Sequence, residues 1–492
     1  MRKASAILLM IMILLGSVTL CPFAAYAAEN DPSVPTVPQI RIVTENGNGT
    51  TLEKDDDYVN ATISITDTDG AVLNGSVLFK VRGNSTALSF VKKKSFTFKF
   101  DKKTAVLGMN KGKKWALLAN LFDPTLIRNE IAFGFAEKIG LSHTVSRRFV
   151  ELWVDDSFRG CYQLTEPIQV SKERLNIDIE SNGGMNDFLI EREATRNESD
   201  VTYFTVDGIR FAVKEPETPT DEQLNYIRST VSDVMTAVKS GDRETAAEKI
   251  DVPSFARFYL LNELCKTVDF DFSSVFFYYK GGKLYAGPAW DYDLSLGNSN
   301  RDLSEKGRMA ADPTGLYAAD CHLFKYLCAY DWFRQEVREL YRQHFGDVRA
   351  ICADDGVIDT LLRDYGDIFA RNYSDAGWNV AKWWVNVQKK PLATYEENIA
   401  YLREWLTARN FWLHDEFGCY LVGDSDNDLS VTILDATHIQ RYLAEYPTDD
   451  AERMVVRSQT GDEALSILDA TAIQRKLADY EDPGRIGEPA LY

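Results

Sequence analysis

The sequence predicts an α+β domain that is followed by a small all-α module. Three observations lead to this prediction. Apolar and polar residues alternate over several stretches of the first third of the chain, which is typical of half-buried strands. From residue 221 to residue 405 the pattern is mostly helical and is interrupted by one hairpin. Near the end of the chain, a loop–helix unit occurs twice.

The composition bounds the class of protein. The 492 residues are 45% apolar, which suffices for a large core and for two or three domains. The formal net charge of −19 argues against nucleic acid as a partner, since surfaces that bind nucleic acid are basic. Six of the seven cysteines follow residue 27, are widely scattered and form no CxxC pair. This favours buried thiols, although one or two disulfides stay open.

Residues 1–27 have the pattern of a secretory signal peptide. Arg2 and Lys3 supply positive charge, an apolar run follows, and Ala25-Tyr26-Ala27 is a small-x-small cleavage signal. The apolar run is shorter than the roughly 20 residues of a membrane span. We therefore expect a secreted, extracellular protein with no membrane anchor, in which residues 28–38 form a proline-punctuated linker.

Residues 39–418 show no comparable break and are predicted to form one large module. Its predicted strands include residues 61–65, 77–81, 95–100 and 149–154. Before the last of these, Asp123 as N-cap and Pro124 at the first helical position predict a helix over residues 124–139. Strands followed by mostly helical sequence make this module α+β.

The hairpin in the second half of the module is the first candidate for a chemical site. Two aromatic-rich strands flank a Gly281-Gly282 turn, with Asp269 before the hairpin and Asp291 after it. Because a two-stranded ribbon returns its ends to the same place, we expect these two carboxylates to lie close together. Crowded, partly buried carboxylates either share a cation or one of them takes up a proton.

Six further segments accompany this hairpin. They are Val81 to Thr86, Lys92 to Phe98, Trp115 to Asn120 with Ile127-Arg128-Asn129, Gly160 to Glu166, Phe188 to Glu193, and Ala286 to Asp293. In this order they resemble the spore coat protein H (CotH) kinase family over about residues 75–300. The resemblance implies an atypical protein-kinase-like fold and transfer of phosphate from ATP to protein hydroxyls. We expect the helical remainder, to about residue 415, to belong to the same module.

The resemblance also implies roles for individual residues. Asp269 would be the catalytic aspartate, Asp291 the principal Mg²⁺ ligand with Asp293 assisting, and Lys94 the lysine facing the ATP phosphates. Arg82, Arg128 and Glu166 would either bind the nucleotide or pair with one another. Ser274 departs from conventional kinases, which have a metal-binding Asn there. Lys92, Lys93 and Lys94 are not separable by alternation, which puts two of the three on one face, and such a run is also typical of a solvated strand edge.

The duplicated unit lies near the end of the chain. Residues 424–435 present oxygens at positions 1, 3, 5, 7, 9 and 12 of a twelve-residue loop, which is the spacing of a calcium loop. Residues 433–446 recur as 467–480 with 11 of 14 positions identical. Tandem loop–helix repeats of this kind resemble a dockerin, which docks onto a cohesin module of a cellulosome scaffold. The resemblance covers residues 420–482 and leaves residues 483–492 as a tail.

The dockerin resemblance implies one nearly intact Ca²⁺ site. Its ligands would be the side chains of Asp424, Asp426, Asp428 and Asp435, the Ser430 carbonyl, and Thr432 through water. Leu429 stands at the sixth loop position, where the family has glycine because the backbone turns through positive φ. Positive φ costs a residue with a Cβ about 1–2 kcal/mol. The second loop keeps only Asp462 and Asp469, so we expect weak Ca²⁺ binding there. Ile433, Leu434, Ile467 and Leu468 are either a partner-binding surface or core.

Two other functions remain open. A carboxylate pair is what a glycoside hydrolase requires, and most dockerin-bearing proteins act on plant cell walls. Glu166, Glu191 or Glu193 with Asp291 would then be the pair. A catalytically silent binding or assembly protein with a kinase-like fold is the other alternative. Dependence on nucleotide separates the three.

Overall fold

The structure is a computed structural model that describes residues 35–300, 302–303, 308–378, 388–461, 464–480 and 485–492. Sheets and helices combine there in the α+β class, as the sequence predicted. Among the described residues, no helix has both the length and the apolar character needed to span a bilayer. The predicted signal peptide and most of the predicted linker lie outside these residues.

Seven strands close into a barrel in the order β1-β2-β3-β4-β5-β7-β6. They are β1 (Gln39–Thr44), β2 (Val59–Thr66), β3 (Val72–Arg82), β4 (Ser95–Thr104), β5 (Gly112–Leu118), β6 (Arg147–Val154) and β7 (Ser157–Thr165). The barrel is closed by parallel pairing of β1 with β6, and the other neighbours are antiparallel. Val77, Phe79 and Val81 of β3 are buried on one face, which is the alternation that predicted this strand.

A second, five-stranded antiparallel sheet has the order β12-β11-β8-β10-β9. Its strands are β8 (Phe188–Arg192), β9 (Tyr203–Val206), β10 (Ile209–Glu215), β11 (Val275–Lys280) and β12 (Lys283–Ala286). β11 and β12 are the predicted hairpin. Its two turn residues, Gly281 and Gly282, both have positive φ (57° and 93°), a geometry that favours glycine. A short pair, β13 (Asp302–Leu303) and β14 (Arg308–Met309), follows.

Helices pack against the barrel and against the second sheet. They are α1 (Arg128–Lys138), α2 (Asp221–Lys239), α3 (Arg243–Lys249), α4 (Val252–Cys265), α5 (Phe324–Leu327), α6 (Asp331–Gln343), α7 (Phe345–Ala350), α8 (Val357–Ser374) and α9 (Tyr395–Glu416). The helix predicted over residues 124–139 begins at Arg128 instead. Leu126 has a φ of +64°, and the Asp123 carboxylate accepts hydrogen bonds from the backbone N–H of Thr125 and of Arg128, so residues 123–127 form a turn.

The two copies of the duplicated sequence form equivalent helices. α10 (Ile433–Leu443) and α12 (Ile467–Leu477) each begin with a capping box, in which Thr432 or Ser466 pairs with the aspartate three residues later. α11 (Ala451–Ser458) lies between them in sequence. A small core of six buried residues holds the repeats together: Ala436, Ile439, Met454, Ala470, Ile473 and Ile486.

Two short strands join the repeats to the large module. β15 (Cys419–Leu421) leads from α9 into the first loop, and β16 (Pro489–Leu491) follows the second repeat and pairs antiparallel with β15. Arg338 and Arg342 of α6 donate hydrogen bonds to the carbonyls of Tyr492 and Pro489, at 3.3 and 3.4 Å. The end of the chain is therefore part of the fold.

Candidate functional site

A cavity of about 260 Å³ brings most of the predicted kinase-site residues together. Arg82, Asp269, Asp291 and Asp293 all line it, as does Ser274. They come from the end of β3, from the turn before β11 and from the loop after β12. This convergence follows from the hairpin, because β11 and β12 return their outer ends to one place. We call this space the acidic cavity.

The backbone on both sides of the hairpin is held in an uncommon conformation. Ser274 and Asp291 have positive φ, at 62° and 69°. The Ser274 hydroxyl donates to Asp291 Oδ2 at 3.1 Å, and its backbone N–H donates to Glu191 Oε1 at 2.9 Å. Glu191 is a buried residue of β8 that lines the same cavity. These bonds fix the direction of the Asp291 carboxylate.

The carboxylates of the acidic cavity are electrostatically crowded. Burial raises the pKa of Asp291, while the Ser274 hydroxyl and the positive charges of Arg196 and Arg82 act in the opposite direction. Burial also raises the pKa of Asp293 well above its ordinary value, and the charges of Asp291 and Asp269 add to this shift. A divalent cation between these oxygens would relieve the repulsion, and carboxylate oxygens are the protein ligands that Mg²⁺ takes in phosphoryl-transfer sites. The donor set therefore fits Mg²⁺.

Asparagines hold the loop that carries Asp291 and Asp293. Asn129 Oδ1 accepts a hydrogen bond from the Tyr292 backbone N–H at 2.8 Å, and Asn129 in turn donates to Asn120. Asn298 donates from its side chain to the carbonyls of Asp293 and Phe122. The loop is thus tied to β5 and α1, which lie on the barrel side of the cavity.

Arg82 borders both the acidic cavity and a larger neighbouring cleft. Its guanidinium lies 5.3 Å from the centre of the Trp290 ring, which is within cation–π range. Burial lowers the pKa of Arg82, and the nearby Asp291 charge opposes that shift. Arg82 is therefore a cation placed beside the carboxylates.

The neighbouring cleft has a volume of about 750 Å³ and lies between the barrel and the second sheet. Tyr58, Phe276 and Trp290 give it aromatic surface. Its cationic lining residues are Lys54, Lys80, Arg82, Lys114 and Lys214. The volume is within the range of small-molecule and cofactor sites. Aromatic surface beside cationic side chains suits a ligand that has a planar base and phosphates. We call this space the basic cleft.

The three lysines before β4 lie elsewhere. Lys94 pairs with Glu53, and neither Lys92, Lys93 nor Lys94 is among the residues that line the acidic cavity or the basic cleft. Lys93 is buried, and its ammonium donates to the carbonyls of Ala119 and Cys161, both at 2.7 Å. Burial lowers the pKa of Lys93 to about 7. The structure does not bring Lys94 to the other predicted site residues.

Arg128 and Glu166 also lie outside the acidic cavity. Arg128 is buried, forms an ion pair with Asp123 and donates from Nε to the Ser295 carbonyl at 3.1 Å, so it supports the loop that carries Asp291. Glu166 lies 4.0 Å from Arg174 and lines a separate pocket of about 220 Å³. Burial raises the pKa of Glu166, and Arg174 opposes the shift.

Sequence reasoning missed two cations at or near the acidic cavity. Arg196, which follows β8 in the chain, lines the cavity itself. Lys214 of β10 lines the basic cleft, and its ammonium lies 3.3 Å from Glu191 Oε2. This ion pair links the cleft to the residue that holds Ser274. Lys214 is in an ordinary alternating strand, and only the pairing of β10 with β8 brings it to Glu191.

The first repeat loop gathers three carboxylates. Oxygens of Asp424, Asp426 and Asp428 lie within 4.8 Å of one another. Burial, together with the charge of Asp435, raises the pKa of Asp424 to about 7. Asp435 accepts hydrogen bonds from the backbone N–H of Ser425 and of Thr432, both at 2.7 Å, and so closes the loop. Three converging carboxylates, one of them fully buried, fit a Ca²⁺ ion.

The other residues expected to hold Ca²⁺ in the repeats take part in hydrogen bonds, and their role as ligands stays a prediction. The Ser430 backbone N–H donates to Asp428, and Thr432 caps α10. In the second loop, Asp462 lies outside the described residues. Asp469 Oδ1 accepts hydrogen bonds from the Thr460 N–H at 2.8 Å and from its hydroxyl at 2.9 Å. A hydroxyl therefore takes up the carboxylate oxygen that a metal would need.

Comparison with known proteins connects the large module to a family. A search of curated proteins returned no match. The family model described as CotH kinase protein matches residues 79–413. This range includes every residue that lines the acidic cavity, all those that line the basic cleft except Lys54 and Tyr58, and most of the helical half of the module. The matched segment ends before the repeats and covers well over half of the chain. The chain therefore belongs to the CotH kinase family.

Proposed function

We propose that this chain is a secreted kinase that transfers the γ-phosphate of ATP to hydroxyl groups of proteins. One observation carries the proposal: Asp269, Asp291 and Asp293 line one cavity together with Arg82. Phosphoryl transfer needs carboxylates for the metal and for the acceptor hydroxyl, and cations near the phosphates. Membership of the CotH kinase family supports the same activity.

In this proposal the nucleotide occupies the basic cleft. The base and ribose lie against the aromatic side chains, and the phosphates extend past Arg82 into the acidic cavity, because Arg82, Gly83, Phe276 and Trp290 line both spaces. Lys214 replaces Lys94 as the lysine closest to the phosphates. Its ion pair with the buried Glu191 holds the ammonium at the edge of the cleft.

Asp291 and Asp293 would hold Mg²⁺. When bound, the ion would neutralise the negative charge of the phosphate oxygens. This would lower the barrier to attack of a nucleophile on the γ-phosphorus. Ser274 orients Asp291 through its hydroxyl. Asn129 fixes the backbone between the two aspartates by accepting the Tyr292 N–H. The carboxylates are therefore preorganised before any substrate arrives.

Asp269 would act on the acceptor. Its carboxylate accepts the proton of a Ser, Thr or Tyr hydroxyl, and the hydroxyl oxygen forms a bond to the γ-phosphorus. The bond from that phosphorus to the β–γ bridging oxygen breaks, and ADP leaves with the electron pair. The products are a phosphorylated acceptor, ADP and one proton, first held by Asp269.

The repeats would attach the kinase to a scaffold. The three carboxylates of the first loop would hold Ca²⁺ as in a dockerin. Ile433, Leu434, Ile467 and Leu468 are all at least half exposed, and this favours their role as a partner-binding surface over a role in the core. A cohesin module is the partner that the resemblance implies.

Radiolabel transfer tests the kinase activity. The secreted chain is incubated with Mg²⁺, γ-labelled ATP and a mixture of exported proteins. We expect protein-bound label that is lost in Asp269→Asn and in Asp291→Asn, while Asp375→Asn, on the surface, retains it. Release of reducing sugar from cellulose or xylan without ATP would support the hydrolase alternative. A folded protein with neither activity would support the binding-protein alternative.

Calorimetry tests the docking function independently of kinase activity. We expect one tight Ca²⁺ per chain, lost in Asp426→Asn, and binding to a cohesin module only in the presence of Ca²⁺. Asp469 and the second loop should contribute a much weaker site. Two equally tight sites, or cohesin binding in chelator, would contradict this part of the proposal.

A further inference from the structure

The first repeat loop packs against the kinase-like module. Leu429, at the sixth position of the loop, is 4% exposed and belongs to the continuous apolar core of the large module, which also contains Leu413 and Phe417 at the end of α9. The Leu429 backbone has a φ of +67°, and its N–H donates to Asp424 Oδ2 at 3.0 Å. One residue therefore joins a candidate Ca²⁺ ligand to the core of the module.

Further contacts hold this interface. The Nε2 atom of His414, in α9, lies 3.4 Å from Oδ1 of Asn427 in the first repeat loop. Gly423 donates from its backbone to the Arg457 carbonyl, and Arg457 donates from its side chain to the Tyr492 hydroxyl, both at 2.7 Å. The strands that flank the repeats, β15 and β16, pair with each other and contact α6 and α9 of the large module.

Helix α9 connects this interface to the acidic cavity. The Tyr401 hydroxyl donates to the Gly297 carbonyl at 3.1 Å, and Trp405 packs so closely on Gly297 that a Cβ there would lie 2.6 Å from the indole ring. Gly297 is in the loop that carries Asp291 and Asp293. Arg409 forms a fully buried ion pair with Glu263 of α4, the helix that precedes Asp269. α9 therefore contacts both the loop that carries Asp291 and Asp293 and the helix that precedes Asp269.

We propose that Ca²⁺ bound at the first loop stabilises α9 and, through it, the loop that carries Asp291 and Asp293. The proposal rests on the proposed Ca²⁺ site of the repeats. Leu429 is the coupling residue: when Asp424 is held by an ion, the Leu429 backbone is fixed and its side chain is held in the core. The leucine at this position, where a glycine would be easier to accommodate, is then part of the coupling.

Hydrogen exchange of the whole protein tests this coupling. Peptides covering residues 405–416 and 291–298 are compared in saturating Ca²⁺ and in chelator. Where hydrogen exchange requires the first loop, α9 and the loop of residues 291–298 to open together, bound Ca²⁺ should slow it. The effect should reach about 100-fold when Ca²⁺ is at 100 times its Kd. Asp426→Asn should abolish the effect. Leu429→Gly should bind Ca²⁺ at least as tightly as the native chain, yet lose the protection of both segments.

Leu443→Ala is the matched control, because Leu443 is in the same repeat but 40% exposed. It should keep the Ca²⁺-dependent protection. If calorimetry shows bound Ca²⁺ while both segments exchange at the same rate as in chelator, the coupling is refuted and the Ca²⁺ site stands. If Leu429→Gly retains the protection, Leu429 is not the coupling residue and the proposal fails. Absence of Ca²⁺ binding would refute the coupling together with the site.

Discussion

The Ser274 hydroxyl donates a hydrogen bond to Asp291 Oδ2 at 3.1 Å, across the two ends of the hairpin. Both residues have positive φ, which is uncommon for residues with a Cβ. In the proposed kinase site, Ser274 therefore orients the carboxylate that would hold Mg²⁺. In this backbone conformation, both side chains line one cavity.

Substitutions of Ser274 separate strain from hydrogen bonding. Ser274→Ala and Ser274→Gly both remove the donor to Asp291, so both should lower the rate of phosphate transfer to a similar extent. Glycine adopts positive φ without a Cβ penalty, so Ser274→Gly should be more stable than Ser274→Ala by about 1 kcal/mol. Denaturant unfolding measures this difference. Equal stability of the two variants would show that the backbone is unstrained.

Two lysine variants should differ sharply in activity. Lys94 is 7% exposed and pairs with Glu53, which is 49% exposed, so Lys94→Met removes the charge while keeping the buried stem. This variant should change the free energy of unfolding by about 1 kcal/mol and leave transfer near the native rate. Lys214→Met should lower kcat by roughly 10²-fold, because it removes a cation near the phosphates. Steady-state kinetics with ATP measures both. The opposite ranking would return the catalytic role to Lys94.

Substitution of Arg128 should lower the free energy of unfolding more than it weakens ATP binding. Arg128→Met leaves Asp123 buried and unpaired, which should cost about 3–5 kcal/mol. Asp123→Asn combined with Arg128→Met should recover part of this loss, because the amide oxygen still accepts from the Thr125 N–H. Thermal or urea unfolding provides the measurement. A variant with native stability but weak ATP affinity would support direct contact of Arg128 with nucleotide.

Lys93 should give the protein a pH-dependent stability. Burial lowers the pKa of Lys93 from 10.5 to about 7 in the folded state. Between these values the unfolded chain binds more protons at this residue, so the free energy of unfolding rises with pH. The slope from this residue approaches about 1.4 kcal/mol per pH unit. Urea unfolding of the native chain and of Lys93→Met from pH 6 to 10 isolates the contribution as a difference, and parallel curves would exclude it.

The second repeat loop should accept an engineered Ca²⁺ ligand. Thr460 stands at the third loop position and donates its hydroxyl to Asp469. Thr460→Asp replaces this donor with a carboxylate, so calorimetry should show tighter Ca²⁺ binding at the second loop, still weaker than at the first. Thr460→Asn, which has a similar size and no charge, should leave the second loop as weak as it is in the native chain. An unchanged Ca²⁺ affinity of the second loop in Thr460→Asp would show that the loop backbone prevents tighter binding.

Much of the architecture was predictable because local patterns determine it. Alternation identified strands such as β3, and the Gly281-Gly282 turn identified the hairpin. The hairpin was enough to predict that Asp269 and Asp291 converge, since strand pairing fixes where its ends lie. Arg82 joined them because it ends a strand that borders the same cavity.

The position of the lysine that we propose for the phosphates was not predictable. The Lys93 ammonium donates to the carbonyls of Ala119 and Cys161, and Lys94 pairs with Glu53. All of these partners are distant in sequence, so the sequence of residues 92–94 did not indicate them. Lys214 reaches Glu191 only through pairing of β10 with β8, a long-range contact that an alternating strand does not reveal. Leu126 likewise ends the expected first turn of α1 through its positive φ, which a leucine does not signal.

The pairing of Cys419–Leu421 with Pro489–Leu491 also fixes an orientation. Since the repeats are held at both ends, the exposed leucines of the repeats and the mouth of the acidic cavity keep one relative direction. If the proposed function holds, an assembly that binds those leucines would orient the kinase-like module as well as recruit it. Its neighbours in the assembly, more than the sequence around any hydroxyl, would then decide which proteins become phosphorylated.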